Sequence, residues 1–493
     1  MISSYRFFLL SILLLIFVSK LSSQQFNGEW SCEYSTIDDQ PNGTGYNTIA
    51  VAVVGEDNFV ALVRRESNRT NYLVGYNGAD SINGRLGNYA YGTSGVGGDQ
   101  QTWISGFDQV FMREAKSIAA VNNLILVPNN DENYNILVFE LTADSVISHP
   151  KRMSTLINPF DVDSLWAITT DAAGRVYVTT HGSADKPSKV LIYESFEKES
   201  KWGDGFDAQP LQIITLPDNG SARGIAVNPL GTALYVSNYE QRKVYCYIGD
   251  ADNGYTIYNG FDASYNDDYI TATETIEVGP FGLEFMPTRN ILFMASDADF
   301  LLGTAYEYAK IFALNPNTGE FLDTIDVAQW NYVTLDSSYT NRAGGTTPGN
   351  ASGYASTYHV DTDGNDNLYS QSYFGWTVEK WNFSGTLPDI QLTITSIEKE
   401  DNIVPTGFML DQNYPNPFNP STTIRFTVND RTRISLDIFS ITGELVASVI
   451  NSREFEAGAY RVTFDASGLA SGTYIYTISN GFNKISKKMT LIK

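Results

Sequence analysis

"AITTDAAGRVYVTTHGSADKPSKVLIY", residues 167–193, decides the architecture. An alternating apolar strand runs into the tight turn Asp171-Ala-Ala-Gly174. A second strand follows, centred on Tyr177 and Val178, then a polar loop and a third strand ending at Tyr193. Period-2 alternation puts successive side chains on opposite faces of a pleated strand. The pattern recurs as "IAVNPLGTALYVSNYEQRKVYCY" from Ile225 and "LEFMPTRNILFMASDADFLLGTAYEYAKIFAL" from Leu283, with second-strand centres 58 residues apart in both intervals. Weaker copies begin at Ala119 and Ser356, and the weakest at Ile49. "PLQIITLP", "TATETIEV" and "GEFLDTIDV" supply fourth strands between copies.

About six units of four short antiparallel strands predict an all-β chain whose main body, residues 24–390, is a β-propeller of about six blades. One blade cannot bury both of its faces. Six in a ring bury each face against a neighbour and leave only short edges. A β-sandwich and a β-helix are the alternatives; the units are too numerous for the first and too long for the second.

Residues 1–23 have the form of a secretory signal peptide: Arg6 near the start, an apolar run from Phe7 to Val18, and small polar residues at Ser22 and Ser23. Twelve helical residues would span about 18 Å, short of a hydrocarbon layer of about 30 Å. No later stretch is long and apolar enough to span a membrane. The net charge is −24. Residues 408–493 hold nine Lys or Arg against seven Asp or Glu, so the acidity belongs to the body. That balance argues against nucleic acid and anionic membranes as partners. Cys32 and Cys246 fall in opposite sectors of the expected ring, too far apart for a disulfide.

Past residue 390 the repeat stops. Residues 391–407 read as a linker. From Phe408 shorter strands follow, with Ile424, Phe426 and Val428, then Ile434, Leu436 and Ile438, then Tyr460, Val462 and Phe464, then Tyr474, Tyr476 and Ile478 facing inward. Thr442-Gly443 and Asn480-Gly481 mark turns. Six or seven strands in under ninety residues predict a small Ig-like β-sandwich. Its head, "NYPNPFNPST" at 413–422, is extended by its prolines and expected to stay out of the ladder, with Tyr414 and Phe418 pinning it to the sandwich.

"NYPNPFNPSTTIRF", "LDIFSITGELV", "FDASGLASGTYIYTI" and the terminal "KKMTLIK" together resemble the type A C-terminal sorting domain of the type IX secretion system. The resemblance covers about the last 85 residues. It implies periplasmic passage, handling by the type IX machinery, and release to the medium or the cell surface of a bacterium of the Bacteroidetes type. The sorting-motif positions are Tyr414, Pro415, Asn416, Pro417, Phe418, Asn419 and Pro420, with Lys487, Lys488 and Lys493 forming a basic end. Those lysines also suit protection of an edge strand.

Catalytic motifs are scarce. There are three histidines, His149, His181 and His359, and no HExxH, CxxC, G-x-S-x-G or Walker loop. "DTDGNDN", with Asp361, Asp363, Asn365 and Asp366, has alternating oxygen ligands that suit calcium. It occupies the place of the Asp171–Gly174 turn and lacks a distal Glu, so it is read as a turn. Loops rich in Tyr, Ser, Asn and Gly gather on the face where first strands begin, the composition of an adaptable binding surface. Trp166, Arg223, Phe281 and Tyr354 are the candidate ligand-binding residues there. Arg223 also suits neutralising local carboxylates. The first reading is an exported, non-catalytic propeller that binds a glycan or an extracellular protein and needs no cofactor. The alternative is a secreted lactonase-like, calcium-dependent hydrolase. Among the first strands only Glu284 offers an inward carboxylate, which disfavours it; a quinone-dependent dehydrogenase lacks its tryptophan repeat.

Overall fold

The computed structural model describes residues 26–35, 46–65, 71–76, 102–103, 109–110, 112, 114–130, 135–140, 152–154, 164–195, 209–252, 254–265, 269–270, 275–298, 308–334, 356–373, 377–392, 397–400, 407–466 and 469–492. Residues 1–23, read from the sequence as a signal peptide, and His149, Tyr354 and Lys493 lie outside them.

Residues 167–193 build three strands of one four-stranded antiparallel sheet, blade 3: Leu165–Thr170, Val176–Thr180, Lys189–Tyr193 and Gln212–Thr215. Its first turn is made by Asp171. One carboxylate oxygen accepts the N–H groups of Ala173 and Arg175 at 2.9 and 3.0 Å; the other accepts the Tyr177 hydroxyl at 3.1 Å. Gly174 closes the turn at φ 77°, where a side chain would be strained. Asp363 does the same in "DTDGNDN", accepting from Asn365, Asn367 and the Tyr369 hydroxyl. That stretch is therefore a turn, as expected from the alignment of the repeats. Asn228 plays the part in the next repeat, accepting from Thr232 and Ala233.

The remaining blades follow in chain order. Blade 1 has three described strands, Tyr46–Gly55, Asn58–Arg65 and Asn71–Tyr76. Blade 2 begins at Ala119–Val121, blade 4 at Ile225–Val227 and blade 5 at Val278–Met286, each with four strands. Blade 6 runs Val360–Thr362, Leu368–Ser372 and Thr377–Phe383. Its fourth strand comes from the other end of the ring: Trp30–Ser35 pairs antiparallel with Thr377–Phe383. Each first strand contacts the first strand of the next blade, and blade 6 contacts blade 1, so the six form a closed inner ring.

The closure has its own ion cluster. Lys380 of blade 6, with its side chain 3% exposed, places Nζ 2.6 Å from Asp57 in the first turn of blade 1 and 3.0 Å from Glu33 on the N-terminal strand. The blade faces are apolar on both sides. Tyr177, Val190 and Ile192 pack toward blade 4, whereas Val176, Val178 and Leu191 pack toward blade 2. Full burial of one such side chain contributes about 1.5–3 kcal/mol.

The six inner strands share one register. Ile49, Lys116, Trp166, Arg223, Phe281 and Tyr358 are equivalent at their starts. The next position holds Ala50, Ser117, Ala167, Gly224, Gly282 and His359, small in every blade but the last. The reason is proximity. A Cβ on Gly224 would lie 2.1 Å from the Phe281 carbonyl oxygen, and one on Gly282 2.8 Å from that of Tyr358. The His359 imidazole instead reaches Ser117 of blade 2, with Nε2 3.3 Å from the hydroxyl. Blades 6 and 2 are not neighbours, so this contact crosses the centre of the disc.

Several expectations need correction. Blade 4 takes its fourth strand from Gly254–Ile257, which turns straight back from Lys243–Asp250, and not from "TATETIEV", whose Thr275–Ile276 pairs among the described residues with Tyr269–Ile270. Cys32 belongs to blade 6 through the N-terminal strand, two blades from Cys246 and not opposite it; no disulfide joins them. A helix, Val327–Thr334, follows blade 5, capped by Asp326, which accepts the Gln329 N–H at 2.8 Å.

The C-terminal domain is a sandwich of two four-stranded sheets. All twelve residues expected to face inward are buried in one core. Ile397–Glu400, expected as linker, pairs with Gly458–Asp465 and so belongs to the sandwich. The Pro-Asn head does join the ladder, contrary to expectation. Tyr414 bridges Thr423 and Phe418 bridges Leu491, because these residues keep the N–H groups that the intervening prolines lack. Phe418 is buried and pins the segment, but Tyr414 is 81% exposed. Asn413 is the second anchor. Its N–H donates to the Tyr476 hydroxyl at 2.8 Å, and its amide to Thr422 and the Pro415 carbonyl. Lys487 and Lys488 lie on Lys484–Leu491, an edge strand of its sheet.

Candidate functional site

Two cavities mark the two ends of the inner ring, and no residue lines both. The first, about 370 Å³, is lined by the starts of the inner strands and by second-to-third-strand loops. Trp166, Arg223 and Phe281 meet in it, brought from blades 3, 4 and 5.

Arg223 is the hub. Its side chain is 8% exposed, and its guanidinium carbon lies 3.7 Å from the ring centroid of Tyr239, 4.8 Å from Phe281 and 5.3 Å from Trp166. Such packing fixes the guanidinium plane and attracts it to the ring quadrupoles. Glu240 stands 4.0 Å from Nη2. The Ser221 N–H and hydroxyl both donate to that carboxylate, which holds it in place. So Arg223 does neutralise a carboxylate, and it lines the cavity as well. Trp166 stacks on His181 at 4.9 Å and 15°, and Lys116 Nζ is 5.6 Å from the Trp166 centroid. Phe281 and Tyr358 pack at 4.4 Å.

The loop positions follow from local geometry. Ser183 and Lys186 pair across the tip of "THGSADKPS", and Pro187 bridges Gly220. A Cβ on Gly182 would lie 2.0 Å from the Gly220 carbonyl oxygen, so the loops of blades 3 and 4 can meet only with glycine there.

The opposite cavity, about 340 Å³, collects the ends of the inner strands. Among the described residues its lining contains Asp171, Glu284, Asp361 and Asp363 and no Lys or Arg. Glu284 is not the sole inward carboxylate, as the sequence had suggested. Asp361 of blade 6 joins it, with Oδ2 accepting the Val53 N–H of blade 1 at 2.7 Å. Burial, then the charge of Asp361, pushes the Glu284 carboxyl far up; burial foremost pushes Asp361 up to about 7. Burial also takes His359 down to about 4, so its imidazole is neutral at physiological pH. Among the described residues, no group of three or more His, Cys, Asp or Glu side chains is placed to hold a metal ion.

Lys116, Arg64, His181, Tyr239, Glu240 and Tyr358 were absent from the sequence reading of the site. The shared register could have found Lys116 and Tyr358, which align with Trp166, Arg223 and Phe281. Tyr239 and Glu240 carry no such mark.

A ring of six antiparallel sheets, five with four strands and blade 1 with three among the described residues, closed by its N-terminal strand, is a β-propeller, and solved structures are similar to it in fold. A structural-genomics protein of unknown function from Bacteroides thetaiotaomicron matches at 11% identity and a TM-score of 0.44, over 72% of this chain and 77% of its own. The calcium-binding protein regucalcin from Agrobacterium tumefaciens matches at 10% and 0.40, over 73% and 98%. The propeller domain of Cps50 (Swd1) from Myceliophteria thermophila matches at 7% and 0.37, over 68% and 83%. No curated protein matches the chain in sequence. Residues 412–493 match the family described as the secretion system C-terminal sorting domain. That tail marks the protein for export through the type IX machinery to the cell surface or the medium. Among the described residues no helix is long and apolar enough to cross a membrane.

Proposed function

We propose that this exported propeller is a binding protein whose ligand, a glycan or an extracellular partner, seats in the cavity around Arg223. The observation that carries the reading is the convergence of Trp166, Arg223 and Phe281 from three blades on one concave site of about 370 Å³. That volume is in the ordinary range for small-ligand sites, at about 300–1,000 Å³. Arg223 is held rigid before any ligand arrives, which limits the ordering cost of binding. The test is a glycan array probed with the folded full chain and with Arg223→Gln and Trp166→Ala. Array signals that both substitutions leave unchanged would remove the site from the binding role.

A second reading, a hydrolase working in the opposite cavity, is favoured by the paired carboxylates Glu284 and Asp361. Two carboxyl groups with raised proton affinity can divide acid and base roles. Calcium would need six to eight oxygen ligands, of which this pair offers a minority. Turnover of a lactone that stops in Glu284→Gln, together with calcium retained through dialysis, would replace the binding reading with this one.

A further inference from the structure

We propose that the outer edge of Lys484–Leu491 is a strand-acceptor site that the Pro-Asn head holds shut, and that the strand it takes once the head is displaced is the same edge of a second copy of this chain. From the Lys488 carbonyl to the Ile492 N–H, the backbone groups that face away from the sheet all meet the head. Gln412 donates its side-chain amide to the Lys488 carbonyl at 2.7 Å, and the Asn416 amide approaches that oxygen at 3.5 Å. The Thr490 N–H donates to the Asn416 side-chain oxygen at 2.9 Å. Phe418 takes the next two: its N–H donates to the Thr490 carbonyl and its carbonyl accepts the Ile492 N–H, both at 3.0 Å. The head reaches this edge from the other sheet, where Tyr414 exchanges both backbone hydrogen bonds with Thr423 at 2.9 Å. A strand laid on an edge ordinarily becomes the next edge. This one does not, because Pro415, Pro417 and Pro420 have no N–H to offer outward.

The other half of the edge is guarded by charge. Lys484 and Ser486 alternate with Lys488 and Thr490, so their backbone groups face the same way, and among the described residues no strand pairs with them there. Lys487 stands opposite the buried Tyr476, in the row of Met489 and Leu491 that faces the core. A charge in such a row is a device against edge-to-edge pairing. The half under the head is instead self-complementary. Antiparallel pairing about a two-fold axis at Thr490 sets Thr490 against Thr490, Met489 against Leu491, and Lys488 against Ile492, which is 53% exposed. Thr pairs and apolar pairs favour that register, and within those five residues no lysine opposes another. Beyond them Lys487 would meet Lys493, which confines the pairing to this stretch.

The experiment is sedimentation velocity of the folded full chain over a range of concentrations, with hydrogen exchange read at the Thr490 and Ile492 amides. Gln412→Ala with Asn416→Ala strips the side-chain contacts from two exposed positions. A second variant adds Phe418→Ala to free the backbone bridge. Both variants should exchange the two amides faster as monomers and self-associate at least about tenfold more tightly than the parent. Adding Thr490→Lys, which sets two like charges on the two-fold axis, should return them to monomers. Faster exchange without association, or association that Thr490→Lys leaves intact, would overturn the second copy as the occupant. Equal association of parent and variants would overturn the head as the guard. So would amides that stay as protected as in the parent at concentrations where the variants are monomeric.

Discussion

The guanidinium carbon of Arg223 lies 3.7 Å from the centre of the Tyr239 ring, and that ring meets Phe281 edge-on at 5.2 Å. The cation is thus clamped by a residue of its own blade and one of the next. Tyr239→Leu is predicted to lose about 1–2 kcal/mol of stability and to release Arg223 from its fixed plane. Tyr239→Phe should retain both. Thermal unfolding reads the first effect and ligand titration the second; equal behaviour of the two variants would count against the clamp.

The approach of inner strands makes a second prediction. Gly282→Ala places a Cβ against the Tyr358 carbonyl oxygen at 2.8 Å and the His359 Cα at 2.9 Å, both backbone atoms that cannot swing away. The expected cost is about 1–3 kcal/mol, measured as a lower denaturant midpoint. An unchanged midpoint would show that the ring relaxes more easily than its geometry implies.

Asp361 predicts a pH dependence. Its carboxyl is raised to about 7 in the fold by burial, backed by the nearby Asp363, from an ordinary value of 3.8. A raised carboxyl contributes stability that is fully present below about pH 4 and is lost as pH climbs through about 7. The span sets an upper figure of about 4 kcal/mol, reduced by water in the cavity. Asp361→Asn keeps an acceptor for the Val53 N–H and removes the titration. Its melting temperature should exceed that of the parent at alkaline pH and converge with it in acid. A constant difference at every pH would contradict the assignment.

Lys380→Met should loosen the ring where it closes, since it strips Asp57 and Glu33 of their shared counter-charge. Fully buried pairs cost about 3–5 kcal/mol when broken, and the partial exposure of both carboxylates lowers the expectation to about 2 kcal/mol. Limited proteolysis should find the N-terminal strand cut faster than in the parent. Equal cutting rates would mean that backbone pairing alone holds that strand.

In the tail, Asn413 and Tyr414 should separate structure from recognition. Asn413→Ala removes two buried amide donations and is expected to cost about 1–3 kcal/mol. Tyr414→Ala removes a ring that is 81% exposed and should leave the melting temperature unchanged while retaining the chain in the periplasm. Normal export of the second variant would take that ring out of the recognised surface.

The blades were legible because each carries its own instructions. Asp171, Asn228 and Asp363 each write a turn within a few residues, and the strands on either side alternate. The sandwich core was legible for the same reason. What stayed hidden depends on distant partners. Nothing local says that Trp30–Ser35 completes blade 6, or that Asp361, read as part of a turn, faces Glu284 across a blade boundary. Trp166, Arg223 and Phe281 could be placed because they start strands. Tyr239 and Glu240 lie past the end of one, where the repeat no longer fixes position.

The pairing of Trp30–Ser35 with Thr377–Phe383 also orders events in time. During synthesis the N-terminal strand emerges first, and its mate is translated only after five other blades. The disc therefore cannot lock before nearly the whole body has left the ribosome, and contacts of such long range form slowly. The seam of the ring is thus the last contact of the body to become possible.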